Sequence, residues 1–230
     1  MQIKGVAFDL EGTLINIEAA HHQGHLAVAA ELGVNLSIEQ AINKIPAFIG
    51  GPDIEVAKSI KKLAKSDTPI EYIIERKKLH FQQFLPSIEI KLRPNAAGFI
   101  VNLIKANIKI TIGTVTAKED AINLIKKANL DHFFEIQNIV FLEDVKKSKP
   151  SPDVYIETAK RLGIKPREQL VIEDSIVGVK AAVSAGSQVI AIPTIQTKDF
   201  KTVLLNAGAS KVFFNWDQLS LNEIDLPFKH

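Results

Sequence analysis

Residues 3–14 read IKGVAFDLEGTL, and this stretch decides the fold because it joins an apolar strand to a polar turn. The run 3–8 is short, mostly apolar and directly followed by Asp9 and, two residues later, Glu11, a pattern that predicts a buried strand. Gly12 allows the chain to turn just after the strand, so that both carboxylates can face the same space. Ligands of open α/β sheets bind at the carboxyl ends of the strands. The stretch therefore predicts a binding edge with two acids; the alternative is an acidic turn with a purely structural role.

The rest of the chain repeats the pattern of a short apolar run followed by polar or helical sequence. Further runs rich in Val, Ile and Phe occupy residues 108–112, 139–142, 170–172, 189–192 and 212–214. Such runs are typical of buried parallel strands joined by helical crossovers, and they predict an α/β fold. Between the first two strands, over residues 18–88, strand signals give way to helical ones. We therefore expect a Rossmann-like parallel sheet formed by residues 1–16 and 88–230, with residues 17–87 inserted as a helical domain.

Local signals indicate where several helices begin and end. Residues 37–40 form a capping box of Ser37 and Gln40, and Pro69 suits the first position of a later helix. Thr116, followed three residues later by a glutamate, predicts another capping box. A further helix is expected to open at Ser151-Pro152 and to end at Gly163.

The composition is that of an ordinary globular enzyme. Of 230 residues, 46% are hydrophobic and 23% are charged, so the chain can bury a sizeable core. A net charge of +2 provides no general attraction for nucleic acid or an acidic membrane. The sequence contains no cysteine, which excludes disulfides, thiol nucleophiles and Cys-ligated zinc. Its first residues lack the pattern of a secretory signal, and no run approaches the ~20 apolar residues of a membrane span, so we expect a cytoplasmic protein.

Three other predicted strand ends carry residues suited to phosphate chemistry. Thr114 offers a hydroxyl and nearby backbone amides just before a helix N-terminus, where anions bind. Two prolines stiffen the loop after Lys149, and a fixed ammonium can neutralise a carboxylate or a phosphate. A later strand ends in Glu173 and Asp174, whose oxygens suit Mg²⁺. Each has a structural alternative: helix capping around the hydroxyl, a solvated basic loop around the lysine, and a merely acidic strand end.

In chain order these elements are an acid pair, a hydroxyl, a lysine and a second acid pair. They resemble the four motifs of the haloacid dehalogenase superfamily, and the resemblance extends from Val6 to about Pro193. Residues 150–153 (PSPD) and 173–175 (EDS) are similar to the branch that contains β-phosphoglucomutase and phosphoglycolate phosphatase. In that branch a helical cap is inserted just after the first motif, where the helical interval lies here. The resemblance implies a magnesium-dependent phosphatase of small phosphomonoesters.

The resemblance also implies a role for each matching residue. The residues implied are, for catalysis, Asp9, Glu11, Thr114 and Lys149; for phosphate binding, Thr114, Val115 and Lys149; and for Mg²⁺, Asp9, Glu11, Glu173 and Asp174. Asp9 would be the nucleophile that forms an aspartyl-phosphate. Glu11 would bind Mg²⁺ through its backbone carbonyl and do general acid/base work with its side chain. Lys149 would balance the charge of the anionic intermediate.

Position 11 departs from the commoner pattern, because most of these phosphatases have a second aspartate there. Glutamate keeps the acid/base function but places it one methylene further out. Enolase-phosphatases of the same superfamily resemble this chain in having a D-x-E-G-T motif. An acid at position 11 argues against dehalogenase chemistry, since the resembling dehalogenases have none there.

Substrate choice in capped members of the family depends largely on the insert. Lys77 best matches the cap lysine of β-phosphoglucomutase-like proteins, and His21 and His25 are one helical turn apart; a solvated basic face and partly exposed histidines are the alternatives. The mutases' phosphate-binding arginine has no clear counterpart near Gly50-Gly51-Pro52. A phosphatase is therefore expected ahead of a phosphosugar mutase and of a non-catalytic binding protein. The expected partner is a small phosphorylated metabolite, with no nucleic acid or membrane, and the chain is expected to be a monomer or weak homodimer.

Overall fold

The computed structural model describes residues 2–45, 48 and 53–224, and the chain forms two compact units. One unit, termed the core unit, comprises Met1–Asn16 and Ile90–His230. The other, termed the helical unit, comprises Ile17–Glu89. The turn predicted at Gly50-Gly51-Pro52 lies outside the described residues.

A parallel sheet forms the centre of the core unit. Its strands are β1 (Gly5–Phe8), β2 (Lys109–Ile112), β3 (Gln169–Glu173), β4 (Gln188–Ala191) and β5 (Lys211–Val212). Within the described residues the order is β2-β1-β3-β4-β5, and all four pairings are parallel. Every residue of β1 is buried, and the residue after it, Asp9, lies at the carboxyl edge of the sheet between the ends of β2 and β3. The predicted parallel α/β sheet is confirmed.

The helical unit consists, where it is described, of helices and their connections. They are α1 (Glu18–Glu31), α2 (Ile38–Lys44), α3 (Asp53–Ala64), α4 (Ile70–Phe84) and a short 3-10 helix (Leu85–Ser87). Val28, Ile60 and Ile73 are at most 1% exposed and belong to a small apolar core, whose burial stabilises the helices more than their propensity does. The predicted capping box is confirmed, since Ser37 and Gln40 each accept a hydrogen bond from the other's backbone amide.

The core unit contributes the remaining helices. They are α5 (Ala96–Lys105), α6 (Lys118–Lys127), α7 (Asp153–Leu162), α8 (Ile176–Ala185) and α9 (Lys198–Asn206). Side chains of α7 and α8, such as Tyr155 and Val179, pack with the strand residues Val171 and Val189 in one apolar core. As predicted, α7 ends at Gly163, which takes up the left-handed conformation. Among the helices of the described segments, none has both the length and the apolar character needed to cross a bilayer.

The strand predicted at residues 139–142 is wrong. Val140 accepts a hydrogen bond from the Thr114 amide and donates one to the Ile112 carbonyl, which makes a single bridge beside β2. A 3-10 helix at Leu142–Asp144 then turns the chain away. The run is apolar because it is buried at the sheet edge, and burial alone does not extend the pairing into a strand.

The capping box predicted at Thr116 is also wrong. Helix α6 has Ala117 as its N-cap, without a side-chain capping bond. Its first amide, that of Lys118, donates instead to both carboxylate oxygens of Glu143 at 3.0 Å. An acid distant in sequence thus satisfies the helix end, and the hydroxyl of Thr116 has other contacts.

Candidate active site

Three predicted acids meet at the carboxyl edge of the sheet. Asp9, Glu173 and Asp174 each present a carboxylate oxygen, and these oxygens all lie within 4.8 Å of one another. The parallel pairing of β1 with β3 brings Phe8 opposite Ile172, so the residues that follow the two strands are neighbours. Thr13 donates a hydrogen bond to Asp174 Oδ1 at 3.1 Å. Sheet register therefore brings the loop after β1 to the loop after β3, where Thr13 and Asp174 are in contact although they are 161 positions apart in sequence.

The turn after β1 is shaped to admit Asp174. Gly12 has φ +92°, and a Cβ at this position would lie 2.2 Å from Asp174 Oδ2. Any larger residue would therefore displace the carboxylate, besides being strained at this φ. On the other side, Arg93 Nη1 donates to the carbonyls of Gly12 at 2.5 Å and Ile192 at 2.6 Å. The arginine thereby ties the turn to the end of β4.

Lys149 provides the positive charge of the cluster. Its side chain is 4% exposed, and Nζ donates to Asp9 Oδ1 at 2.5 Å and to Glu173 Oε1 at 2.8 Å. The ammonium also lies 5.0 Å from the centre of the Tyr155 ring, a cation–π geometry. Burial opposes the charged form, but the charges of Asp9 and Glu173 outweigh it and raise the pKa of Lys149 well above its usual value. The neighbouring lysine at position 147 is exposed.

Glu173 is buried and fully engaged by hydrogen bonds. Its Oε1 accepts from Lys149 and from the Tyr155 hydroxyl, both at 2.8 Å. Its Oε2 accepts from the Asp174 amide at 2.9 Å and from the amide and hydroxyl of Ser175 at 3.0 Å. Burial raises the pKa of this carboxyl, but Lys149 and the other donors outweigh burial and lower it below its usual value. Glu173 therefore carries a negative charge that holds Lys149 in place.

Asp9 and Asp174 are less well compensated. Asp9 Oδ2 is buried, and no described residue donates a hydrogen bond to it. Burial, assisted by the charges of Glu173 and Glu11, raises the pKa of Asp9 to about 7 despite Lys149. Burial and the charges of Glu173 and Asp9 likewise raise the pKa of Asp174 well above its usual value. A buried oxygen without a donor, amid excess carboxylate, fits a divalent cation with oxygen ligands such as Mg²⁺.

A pair of hydroxyls connects the second strand end to Glu11. Thr114 follows β2 and is 2% exposed; its Oγ1 donates to Thr116 Oγ1 at 2.8 Å. Thr116 Oγ1 in turn donates to Glu11 Oε1 at 2.7 Å. Val115, between the two threonines, is partly buried. The core unit thus links Thr114 to Glu11 through Thr116, and it brings Asp9, Lys149, Glu173 and Asp174 into one cluster.

The two predicted substrate residues, Lys77 and His21, lie together in the helical unit. Lys77 Nζ is 2.8–2.9 Å from both carboxylate oxygens of Asp53 and 2.9 Å from His21 Nδ1. His25 Nε2 is 3.2 Å from Asp53 Oδ1. These four residues are termed the Lys77 cluster. Burial opposes the charge of Asp53, but His25 and Lys77 outweigh it and hold the pKa of this carboxyl below its usual value.

For three residues that shape the core-unit site, no local sequence pattern indicates the contact that they make there. Tyr155 lies inside an ordinary amphipathic helix, and Arg93 lies in a loop just before a proline. Thr116 was interpreted as a helix cap, although its hydroxyl binds Glu11. Arg93 and Thr116 find partners about 80 and 105 positions away, and Tyr155 takes its role only because α7 packs beside β3. None of these contacts is encoded by spacing along the chain.

Comparisons with known proteins support the family resemblance that the sequence motifs indicate. A family model described as haloacid dehalogenase-like hydrolase matches residues 6–192. The phosphorylated carbohydrates phosphatase of Thermotoga maritima is 29% identical over 209 residues, covering 90% of this chain and 92% of that protein. The fructose-1-phosphate phosphatase YqaB of Escherichia coli is 28% identical over 183 residues, 79% of this chain and 92% of the relative. The crystal structure of a HAD hydrolase, family IA, variant 3, from Entamoeba histolytica superposes with a TM-score of 0.79 at 27% identity, covering 97% and 98% of the two chains.

Proposed function

This chain belongs to the haloacid dehalogenase-like hydrolase family, and on that premise we propose that it is a magnesium-dependent phosphatase that forms an aspartyl-phosphate on Asp9. The observation that carries the proposal is the environment of this carboxylate. One oxygen of Asp9 is held by Lys149 at 2.5 Å, while the other is buried without a donor among the described residues. A carboxylate fixed in this way, at the carboxyl edge of the sheet, suits a nucleophile aimed at phosphorus.

In the first step Asp9 attacks the phosphorus of a phosphomonoester, forming an Asp9 O–P bond while the bond to the substrate alcohol breaks. Glu11 gives its proton to the departing alcohol oxygen and becomes a carboxylate. The Val115 amide and the Thr114 hydroxyl, which turns from Thr116 to the substrate, hold a phosphoryl oxygen, and the Lys149 ammonium balances the developing negative charge.

In the second step Glu11 takes a proton from a water molecule, whose oxygen attacks the phosphorus of the aspartyl-phosphate. The Asp9 O–P bond breaks, inorganic phosphate leaves, and both acids return to their starting forms. Glu11 thus serves as acid and then as base, with no net proton change on the enzyme.

Asp9, Asp174 and the Glu11 backbone carbonyl are the groups that we propose hold Mg²⁺, with Glu173 beside them. Bound Mg²⁺ would supply the positive charge that the acid cluster lacks and would stabilise charge on the phosphoryl group. Glu173 already accepts five hydrogen bonds, so we assign it chiefly to holding Lys149. The positive charges of bound Mg²⁺ and of Lys149 would also keep Asp9 ionised, although burial raises the pKa of Asp9 to about 7.

We propose phosphorylated sugars as the substrate class. The names of two relatives, a phosphorylated carbohydrates phosphatase and a fructose-1-phosphate phosphatase, support this class. The helical unit is proposed to contribute to the choice among them. Within the helical unit the positive charge of Lys77 is already balanced by Asp53. Lys77 therefore does not favour binding of the second phosphate of a sugar bisphosphate, which a phosphosugar mutase must hold.

The central test measures phosphate released from a panel of sugar phosphates, with Mg²⁺ and with excess chelator. We expect turnover with Mg²⁺ only, and a higher melting temperature when Mg²⁺ binds the folded protein. Full activity in chelator would contradict the metal assignment. Conversion of β-glucose-1-phosphate to its isomer, stimulated by the bisphosphate, would instead favour a mutase.

The covalent step has its own test. Borohydride reduces an acyl phosphate to an alcohol, so enzyme quenched during turnover should contain homoserine in place of Asp9. Mass spectrometry of the peptide that contains position 9 detects this change. An unmodified peptide from enzyme quenched under saturating substrate, with an acyl-phosphate protein treated in parallel as control, would argue for direct attack by water.

A further inference from the structure

One hydrogen bond joins the loops that follow β1 and β2, and two more lie within the second of these loops. Thr116 Oγ1 lies 2.7 Å from Glu11 Oε1, and Thr114 Oγ1 lies 2.8 Å from Thr116 Oγ1. The Thr116 amide also donates to Thr114 Oγ1 at 3.1 Å. The Thr116 hydroxyl donates to Glu11 Oε1 and accepts from Thr114, and Oε1 can accept this bond whether Glu11 is ionised or carries its proton on the other oxygen. Both hydroxyl protons are therefore directed along the chain toward Glu11.

The helix that follows does not account for the Thr116 hydroxyl. Ala117 is the N-cap of α6, and the first amide of that helix donates to Glu143. Among the described residues, the bond that the Thr116 side chain donates runs to Glu11, a partner 105 positions earlier. The hydroxyl therefore connects two loops of the proposed active site and does not stabilise its own helix.

We propose that Thr116 is a positioning residue for Glu11 and holds this carboxylate where it can exchange a proton with the substrate oxygen. The inference rests on the acid/base role proposed above for Glu11. Glutamate has one more side-chain torsion than aspartate, so without an anchor it visits more rotamers. A carboxylate that spends less time in the productive geometry transfers protons less often. The Thr116 bond removes this freedom from the longer side chain.

Thr116→Val tests the proposal because it removes the hydroxyl and nearly keeps the shape. With an alkyl phosphate we expect kcat to fall about tenfold, part of the roughly 10²–10⁴-fold that a general acid contributes. KM should change less than about twofold, since the phosphate contacts of Thr114 and Lys149 remain. An aryl phosphate, whose leaving group needs less protonation, should show a smaller loss. Thr116→Ser restores the hydroxyl and should restore most of kcat.

A matched control is Thr202→Val on α9, where the threonine is exposed and bonds only its own helix in the described structure. This variant should retain wild-type kcat. An equal loss in the control would show that the Thr116→Val effect is not specific to the site.

Double mutants separate positioning from a general structural role. In the Glu11→Asp and Glu11→Gln backgrounds the bond to a glutamate carboxylate is already absent. Adding Thr116→Val to either background should therefore lower kcat by less than about twofold. This loss is much smaller than the tenfold loss expected in the wild type, so the effects of the two substitutions would not be additive. A further tenfold loss in both backgrounds would overturn the proposal, as would wild-type kcat for Thr116→Val on an alkyl phosphate.

Failure of the proposed function would be recognised separately. If the wild type hydrolysed no phosphomonoester with Mg²⁺, the phosphatase proposal would fail and kinetics could not test Thr116. Crystal structures of the wild type and Thr116→Val then decide the inference. A Glu11 side chain that moves or becomes disordered in the variant supports the anchoring, and an unchanged Glu11 overturns it.

Discussion

Among the described residues, each unit contains a lysine with a buried side chain, but the two lysines have different surroundings. The side chains of Lys149 and Lys77 are each 4% exposed. Lys149 is shared between Asp9 and Glu173, and further acids at positions 11 and 174 give the core-unit site more carboxyl groups than cationic groups. Lys77 is bound to both oxygens of Asp53, so in the Lys77 cluster the two formal charges match.

This difference indicates that the buried charges serve function in the core unit and stability in the helical unit. An unmatched cluster of acids is costly for the isolated fold and becomes favourable when a cation binds, which is typical of functional sites. A matched pair needs no ligand and helps to hold helices together. Removing an acid should therefore cost mainly activity in the core unit and mainly stability in the helical unit.

The largest effect is expected for Asp9→Asn. The change is nearly isosteric and removes only the nucleophile, so turnover should fall by roughly 10³–10⁶-fold. Without Mg²⁺ the melting temperature should stay the same or rise, because one of several crowded negative charges is lost. Phosphate release and thermal unfolding measure the two effects. The exposed Asp120→Asn on α6 is the control, and more than a few per cent residual activity in Asp9→Asn would contradict the covalent mechanism.

A somewhat smaller loss is expected for Lys149→Ala. Removing one preorganised group that stabilises transition-state charge costs about 10²–10³-fold in kcat. Lys146→Ala and Lys147→Ala provide matched controls, because both lysines lie in the same loop but are exposed, and each should change kcat by less than about twofold. Equal effects of all three changes would favour a general attraction by a basic loop.

For Asp53→Asn we expect a loss of stability. The variant leaves the buried Lys77 ammonium without its counter-charge, and the free energy of unfolding of the helical unit should fall by about 1–2 kcal/mol. This is below the ~3–5 kcal/mol for breaking a fully buried pair, because the Asp53 side chain is 42% exposed. Denaturant unfolding, followed by a probe placed in the helical unit, measures the change.

The control for Asp53→Asn lies on the same helix. Glu55 pairs with Lys58 at 2.7 Å, and both side chains are about half exposed, so Glu55→Gln should cost less than ~0.5 kcal/mol. Should the two variants be equally stable, Lys77 would not depend on Asp53 for its charge compensation.

The smallest effect concerns pH. Burial is the main cause that lowers the pKa of His25 below its usual 6.5, although its hydrogen bond to Asp53 opposes the shift. The folded state therefore binds a proton less readily than the unfolded state, and stability falls as the pH drops below about 6.5 towards the lower pKa of the folded protein. Hydrogen exchange of α1 and α3 at pH 7.5 and 5.5 should show faster opening at the lower pH.

His25→Gln removes the titrating ring and should flatten this pH dependence, whereas the exposed His132→Gln should leave it intact. His22, whose pKa is also lowered mainly by burial, is expected to account for the dependence that remains. An unchanged pH profile in His25→Gln would assign the effect to other groups.

Much of the site was predictable because its parts are local. A short apolar run predicts a strand, and the residue after the run then lies at the sheet's carboxyl edge, as Asp9 and Asp174 do. The helix start at Ser37 was predictable for the same reason, since its capping signal needs only residues three positions apart. The strand predicted at residues 139–142 was wrong because a 3-10 helix at Leu142–Asp144 ends the pairing with β2 after a single bridge. The cap predicted at Thr116 was wrong because this hydroxyl binds the distant Glu11.

The sequence by itself therefore determined which chemical groups reach the edge of the sheet, because strand ends and motif residues follow from local patterns. Only the tertiary structure decided how those groups are paired. Lys149 meets Asp9 across 140 positions, and Lys77 meets Asp53 because α3 and α4 pack together. Pairing depends on sheet register and helix packing, in which partners remote in sequence compete for the same charge, and no local pattern encodes the outcome.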